Sequence, residues 1–237
     1  MKKFFTLIAA VAMAASMNAQ GTYAVQIGDK IAAGQQVTSV DNVTLTFNEN
    51  AGTSFSDGKE TPNWAEKDFV AYTAGKNNGK LVKEAEPTGC VYKFETTKAG
   101  SLTVGIQLSA NKGLHILNAA FEEVALDSYN LPAKAGDASQ TLTTNDKDET
   151  IIPADGTKSN GTITFKVEDK GTYYVLAAGT KLGFFGFKYA VGGGDATGIS
   201  TVEAASAKQG KTYNVAGQEV SASYKGLVIK NGKKYVK

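Results

Sequence analysis

Few side chains in this sequence could carry out nucleophilic or metal chemistry. The chain of 237 residues has one His, His115, and one Cys, Cys90. A single Cys excludes a disulfide within the chain and every multi-thiolate metal site, and a single His excludes the two-His metal motifs of hydrolases. No G-x-S-x-G nucleophile turn accompanies His115. Leu114 and Ile116 flank His115 in strand-like alternation, so we interpret it as a surface or hydrogen-bonded strand residue, and Cys90 as a buried strand thiol.

Carboxylate side chains offer two further kinds of chemistry. Asp146, Asp148 and Glu149 lie in a polar stretch, and alternating carboxylates can share a calcium ion. The stretch lacks the Gly and the closing Glu of the helix-loop-helix calcium motif, so we interpret it as a solvated acidic loop, with calcium as the alternative and no other cofactor. Pairs such as Glu122 and Glu123 carry no catalytic signature. We therefore expect no enzyme, and a glycosidase with two converging carboxylates is the enzymatic alternative.

Aromatic and amide side chains in polar segments indicate ligand binding instead. An exposed aromatic ring can stack on a sugar ring while neighbouring amides bond its hydroxyl groups. The only Trp, Trp64, lies in a polar segment before a predicted strand, where it could bind a ligand or close the end of the core. For the group around Tyr72 the alternative is a plain turn. The candidate binding residues are Trp64, Tyr72, Lys76, Asn77, Asn78 and Tyr129.

Short runs with period-two alternation must position these residues. Val43, Leu45 and Phe47 alternate with Thr, and clusters of Gly, Asn, Asp and Ser separate this run from similar later ones. No later segment sustains helical spacing. The pattern predicts an all-β fold, a jelly-roll-like β-sandwich with a small C-terminal β-hairpin module. The predicted strands include 43–47, 69–73, 90–96, 101–108, 113–117, 121–126, 163–167, 172–178 and 183–190.

Two segments of the body need a separate interpretation. In the last predicted strand Phe185, Phe187 and Tyr189 alternate, so we expect these three side chains in the core and Phe184 facing outward. The polar stretch 136–161 interrupts the strand pattern. It predicts a weak strand near Thr141 and a loop.

The N-terminal residues 1–19 have the features of an export signal. Lys2 and Lys3 form a basic start, and the apolar run 4–15 that follows is too short to cross a bilayer. Small residues come next, and we expect cleavage after Ala19. The segment therefore predicts an exported protein with no membrane span.

A glycine-rich linker, 192–198, separates the body, 20–191, from a C-terminal module, 199–237. Asn231 and Gly232 stand between two alternating runs, which is a strong hairpin signal. Together with the linker, the body (20–198) holds 16 Lys against 21 acidic residues, while the module is basic, and the whole chain has a net charge of +2 and no Arg. This composition opposes nucleic-acid binding, and the acidic body favours a neutral glycan or a protein as partner.

Nine residues of the C-terminal module form an ordered motif. They are Tyr213, Asn214, Gly217, Gln218, Gly226, Asn231, Gly232, Lys233 and Lys234. In this motif the module resembles the sorting module of secreted Bacteroidetes proteins. The resemblance implies export by the general pathway and transfer across the outer membrane by type IX secretion machinery, to the cell surface or beyond. Without a functional sorting signal the protein would stay in the periplasm.

Four segments of the body carry a second resemblance: 69–78, 102–106, 171–175 and 182–187. In these segments the body resembles jelly-roll modules of polysaccharide-degrading systems at the surface of the same bacteria. Such modules are carbohydrate-binding-like, and no ligand residue carries over by motif. The sequence therefore predicts an exported, non-enzymatic surface or secreted protein that binds a glycan. A structural or adhesive surface protein that binds another protein is the alternative.

Overall fold

The computed structural model describes residues 20–48, 54–61, 68–192, 212–214, 227–230 and 233–236. Trp64, the N-terminal segment 1–19 and five residues of the sorting-like motif (Gly217, Gln218, Gly226, Asn231 and Gly232) lie outside these ranges. The backbone contacts divide the chain into two units, Met1–Gly194 and Asp195–Lys237.

The described part of the first unit contains only β-strands and their connections, which confirms the all-β prediction. In chain order the strands are β1 (Gln20–Ala24), β2 (Gln36–Val40), β3 (Val43–Phe47), β4 (Lys59–Glu60), β5 (Ala71–Ala74), β6 (Lys80–Val82), β7 (Ala85–Thr88), β8 (Val91–Thr96), β9 (Gly100–Leu108), β10 (Leu114–Leu117), β11 (Ser128–Asn130), β12 (Thr143–Thr144), β13 (Thr150–Ile151), β14 (Ser159–Val167), β15 (Thr172–Ala177) and β16 (Gly183–Val191).

These strands form the two large antiparallel sheets of a jelly-roll-like β-sandwich. The front sheet has the order β11-β14-β9-β16-β5-β4, with β1 also paired to β16. The back sheet has the order β12-β13-β10-β15-β8-β3-β2. Consecutive long strands alternate between sheets, since β8, β10 and β15 belong to the back sheet and β9, β14 and β16 to the front sheet. A separate hairpin consists of β6 and β7.

The core lies between the inner faces of the two sheets and follows the alternation in the sequence. Leu45 and Phe47 of β3, with Leu102 and Val104 of β9, are among its fully buried residues. Burying a large apolar side chain contributes about 1.5–3 kcal/mol, so the alternation that predicts the strands also stabilises the sandwich.

The prediction that Phe184 faces outward is wrong. A register shift between Phe184 and Gly186 forms a bulge in β16, which reverses the alternation at this point. Phe184 is fully buried, and its ring stacks on Tyr92 with 4.6 Å between centroids. Phe187 and Tyr189 belong to the core as expected, whereas Phe185 is buried outside the main core cluster.

Two other local predictions also differ from the structure. The predicted strand 121–126 is absent among the described residues, because the chain turns tightly at Asn118–Glu122 and makes only one bridge, between Leu117 and Glu123. The weak strand expected near Thr141 occurs a little later, as β12 and β13.

Cys90 is buried, as predicted, although it precedes β8 rather than lying within it. Its Sγ atom lies 3.2 Å from the carbonyl oxygen of Leu182 and 3.1 Å from the backbone nitrogen of Gly75, which donates to it. Burial raises the pKa of this thiol, more than its hydrogen bonds lower it. The thiol is therefore kept in its unreactive protonated form.

The second unit contains an antiparallel sheet of three strands, β17 (Thr212–Asn214), β18 (Leu227–Lys230) and β19 (Lys233–Val236). Lys230 is paired with Lys233, so only Asn231 and Gly232 separate β18 from β19. This pairing agrees with the hairpin predicted at Asn-Gly. Within the described residues we find no helix with the length and apolar character needed to cross a membrane.

Candidate functional site

Polar side chains gather on the outer face of the front sheet, opposite the core. In β9 the side chains of Ile106 and Leu108 point into the core, so that of Gln107 points outward. The register pairs Gln107 with Asn160 of β14, which also faces out. Tyr72 of β5 alternates with buried neighbours and lies half-buried on the same face.

These residues line a cleft of about 300 Å³. Tyr72, Gln107 and Asn160 lie on the front sheet. The strand β4 and the segment 132–134 supply the walls. The lining residues are Glu60, Thr61, Tyr72, Gln107, Pro132, Ala133, Lys134, Lys158 and Asn160. The cleft therefore combines one aromatic ring, two amides, a hydroxyl group, a carboxylate and two ammonium groups.

A row of hydrogen bonds orders the polar side chains of the cleft. The Nε2 atom of Gln107 donates to Oδ1 of Asn160 at 2.8 Å. The Nδ2 atom of Asn160 donates in turn to Oγ1 of Thr61 at 3.0 Å. Each amide retains a second N–H group, and the Thr61 hydroxyl retains its proton for a ligand. The row fixes the orientation of three side chains that would otherwise rotate freely.

The ring of Tyr72 is supported from one side by aromatic and glycine residues. It packs against Phe185 with 5.5 Å between ring centroids. The next strand places Gly183 beside it, where a Cβ atom would lie 2.7 Å from Cβ of Gln107 and 3.3 Å from Cδ2 of Tyr72. Glycine thus allows Tyr72 and Gln107 to approach each other across β16. The half-buried ring is held in place and leaves part of its surface to solvent.

The two lysines stand on segments that Gln140 ties together. The side-chain amide of Gln140 donates to the carbonyl oxygens of Leu131 and Thr157, at 3.2 and 2.9 Å, and accepts from the Thr157 backbone N–H at 2.8 Å. Lys134 follows the first of these segments and Lys158 the second. Ser159 adds a hydrogen bond of 2.7 Å to the carbonyl oxygen of Pro132. The backbone that carries both ammonium groups is therefore well ordered.

Of the predicted binding residues that the structure describes, only Tyr72 lines the cleft. Lys76, Asn77 and Asn78 lie exposed in the turn after β5 and are not among the lining residues. Tyr129 lies on the edge strand β11, 36% exposed, where its hydroxyl oxygen accepts from the Leu142 N–H at 3.3 Å. For Trp64, outside the described residues, ligand binding stays a prediction.

Sequence reasoning missed the other polar residues of the cleft. The alternation of β9 and β14 does indicate that Gln107 and Asn160 face outward. What joins them is the register of two strands separated by more than forty residues, and no local pattern reports it. Lys134 and Lys158 lie in connections, where periodicity gives no information on position.

A second group of titratable residues lies on the back sheet. His115 in β10 is buried, with 4% of its surface exposed, rather than lying at the surface. Its Nδ1 atom is 2.5 Å from Oε1 of Glu123, and its Nε2 atom is 3.4 Å from Oε1 of Glu149. Burial alone would lower the pKa of this imidazole, but the hydrogen bond and charge of Glu123, with Glu149, raise it above its ordinary value.

Two turns of the same design present these carboxylates. In Asn118–Glu122 and in Asn145–Glu149, the first Asn accepts through Oδ1 from the backbone N–H groups two and four residues later, at 2.8 to 3.0 Å. Its amide donates to the closing Glu, and the fourth residue, Phe121 or Asp148, has φ near +60°. We call these the Asn–Glu turns. Glu149 closes one of them, and Glu123 directly follows the other.

The calcium alternative has no support in this geometry. Glu149 bonds Asn145 and faces His115, while Asp146 and Asp148 are exposed in the turn. Within the described ranges no three His, Cys, Asp or Glu side chains are arranged to hold a metal ion. The hydrogen bond from Asn145, and then the charge of His115, hold the pKa of Glu149 below its usual range despite partial burial.

The closed surroundings of His115 distinguish it from the cleft. No described residue forms a hydrogen bond with its Nε2 atom, which is buried and faces Glu149. None of the residues His115, Glu123 and Glu149 lines the cleft. The group is suited to hold two turns against the back sheet, whereas the cleft is open and can accept a ligand.

No protein-family model matches this chain, and no curated protein is significantly similar to it.

Proposed function

We propose that this protein is a non-enzymatic binding protein whose cleft on the front sheet binds a saccharide. The observation that carries the proposal is the half-buried ring of Tyr72 beside the hydrogen-bonded row of Gln107, Asn160 and Thr61. A sugar ring offers an apolar face of C–H groups and a rim of hydroxyl groups. An aromatic ring next to fixed amides complements both parts.

The number of carboxylates in the cleft supports binding rather than hydrolysis. Canonical glycoside hydrolysis uses two carboxyl groups on either side of the scissile bond. Among the described residues that line the cleft, Glu60 is the only Asp or Glu. Glu123 and Glu149 lie close to each other's partner, the buried His115, and face that imidazole rather than the cleft. A single carboxylate suffices to accept hydrogen bonds from hydroxyl groups.

The place of action follows from the two ends of the chain. We propose that residues 1–19 direct export and that the C-terminal module, with its resemblance to type IX sorting modules, leads the body to the cell surface. Deletion of residues 199–237 should then retain the protein in the periplasm of a host with that machinery. Unchanged release into the medium would contradict the sorting role.

A glycan array with the purified protein tests the binding proposal. Wild-type protein should retain at least one class of saccharide, and Tyr72→Ala should weaken its binding about tenfold or more, which corresponds to about 1.4 kcal/mol. Tyr129→Ala is the matched control, since it removes an exposed Tyr outside the cleft. The proposal fails if no saccharide binds, or if Tyr72→Ala binds as well as the control. The adhesive alternative would then be favoured.

A further inference from the structure

The lysines on the outer face of the front sheet fall into two kinds. Lys166 and Lys188 each have a carboxylate nearby, since their Nζ atoms lie 3.2 Å from Asp127 and 3.0 Å from Asp68. Lys188 also lies over the ring of Phe69 at 5.4 Å. These two positive charges are balanced within the protein.

Lys134 and Lys158 are of the other kind. Both are exposed and both line the cleft, yet neither forms an ion pair or a hydrogen bond with any described residue. Among the described residues that line the cleft the one carboxylate is that of Glu60, which belongs to β4, opposite Ala71, and not to the segments that carry the two lysines. The body as a whole is acidic, but this wall of the cleft is positive.

From this arrangement we infer that the saccharide bound by the cleft is acidic, with a carboxylate or sulfate group held by Lys134 and Lys158. The inference rests on the proposed function and adds the substrate class. Two ammonium groups on one wall, close to fixed amides, offer charge-assisted hydrogen bonds to an anion while the sugar ring lies on Tyr72. A lysine binds an anion as a point charge and does not need the planar fork of Arg, which this chain lacks.

The local arrangement also explains how an acidic body can bind an acidic ligand. Charges on the protein surface act mainly within about 10 Å at 0.1 M salt, because ions screen those farther away. The sign of the charge at the binding wall therefore matters more than the net charge of the body. Gln140 helps by holding together the segments 131–134 and 157–158, so the two ammonium groups stay on one wall.

The test compares two ligands that differ only in charge. A short oligogalacturonate and the same oligosaccharide with its carboxyl groups reduced to alcohols are titrated into the full protein by calorimetry, with a sulfated oligosaccharide as a third probe. We expect the charged ligand to bind at least tenfold more tightly than its reduced counterpart. Added NaCl should weaken the binding of the charged ligand and leave the binding of the reduced ligand unchanged. Preference for the sulfated probe over the uronate would identify sulfate as the anion.

Variants separate the inference from the proposed function. The double variant Lys134→Gln/Lys158→Gln should bind the charged ligand no better than the neutral one, while Lys166→Gln, on the same face but already paired, should bind like wild type. Tyr72→Ala should weaken the binding of both ligands. Equal binding of neutral and charged ligands, with Tyr72→Ala still impaired, would overturn the inference and leave saccharide binding intact. Binding of neither these ligands nor any on the array would overturn both.

Discussion

The outer faces of the two sheets differ in their side chains and in how far the chain covers them. The front sheet displays Tyr72, Gln107 and Asn160 in an open cleft. The outer face of the back sheet has Val91, Leu117, Tyr174 and Leu176 in a second buried cluster, and Phe121 from an Asn–Glu turn packs against it. The front face thus carries an open cleft, whereas the chain itself covers this part of the back face.

The comparison shows that the connections, rather than the strands, decide which face can bind. Both sheets alternate in the same way, and each places polar or titratable groups outward. The back sheet is covered because a turn folds over Tyr174, with the ring of Phe121 5.7 Å away. On the front sheet Phe69 and Phe185 lie over Gly105 and are also fully buried, and the cleft lies beside them, where Tyr72 packs against Phe185. A covered face adds stability, whereas an open face is free for function.

The largest expected effect comes from removing a side chain beneath the cover. Leu176→Ala should lower the free energy of unfolding by about 2–4 kcal/mol, because Leu176 is fully buried in the second cluster. Urea denaturation followed by tryptophan fluorescence and far-UV circular dichroism measures it. Leu81→Ala is the control, since Leu81 is 38% exposed on the β6–β7 hairpin. A loss equal to that of the control would show that the back face is not closed.

The next effect depends on pH and concerns His115. Its raised pKa means that its charge stabilises the fold fully below pH 6.5 and that this contribution is lost as the pH rises through the raised value. The lowered pKa of Glu149 gives a contribution that is fully present above pH 4.5 and is lost as the pH falls through the lowered value. His115→Gln should therefore cost about 1–2 kcal/mol near pH 5.5 and less at pH 8. A cost independent of pH, measured by denaturation at both values, would contradict the ion-pair role.

A smaller and symmetrical effect is expected from the Asn–Glu turns. Asn118→Ala and Asn145→Ala should each reduce the free energy of unfolding by about 1 kcal/mol, because each removes the side chain that bonds the backbone of its turn. Thermal unfolding compares the two variants. Asn78→Ala, an exposed Asn outside both turns and without a positive φ, serves as the control. Clearly unequal losses of unfolding free energy would show that the two turns contribute differently to stability despite their shared geometry.

The smallest effect on stability belongs to the open face. Lys158→Gln should change the free energy of unfolding by no more than about 0.5 kcal/mol, since the side chain is exposed and has no ion pair with a described residue. Thermal unfolding of the free protein checks this value. A large destabilisation would mean that the open face contributes to the fold in the way the covered face does.

The strands could be predicted from the sequence more completely than the sites. Alternation within β3, β9 and β14 is local, so it identifies those strands and their core-facing residues. The bulge at Gly186 is not visible in such a pattern, and it moves Phe184 into the core. Only Tyr72 of the cleft was predicted, because pairing between β9 and β14 and the path of the connections depend on contacts distant in sequence.

The Asn–Glu turns lie between the strands and the cleft in how well the sequence predicts them. Their spacing, an Asn with a Glu four residues later, is present at 118–122 and at 145–149 and can be read directly. Alternation assigned the first to a strand, and its acidic residues made the second a calcium candidate. An Asn that bonds the backbone of its own turn predicts a turn in place of the strand at 118–122 and gives Glu149 a structural partner, while calcium binding stays a prediction.

The row of hydrogen bonds in the cleft has a direction. Gln107 donates to Asn160, and Asn160 donates to Thr61. The side-chain carbonyl oxygen of Gln107 is therefore available at one end of the row, and the hydroxyl proton of Thr61 is available at the other. A molecule that lies along the row therefore meets an amide, with its carbonyl oxygen and second N–H, at the Gln107 end and a hydroxyl group at the Thr61 end. The row is polar in the vectorial sense, so a ligand with two different ends would meet different groups in its two orientations.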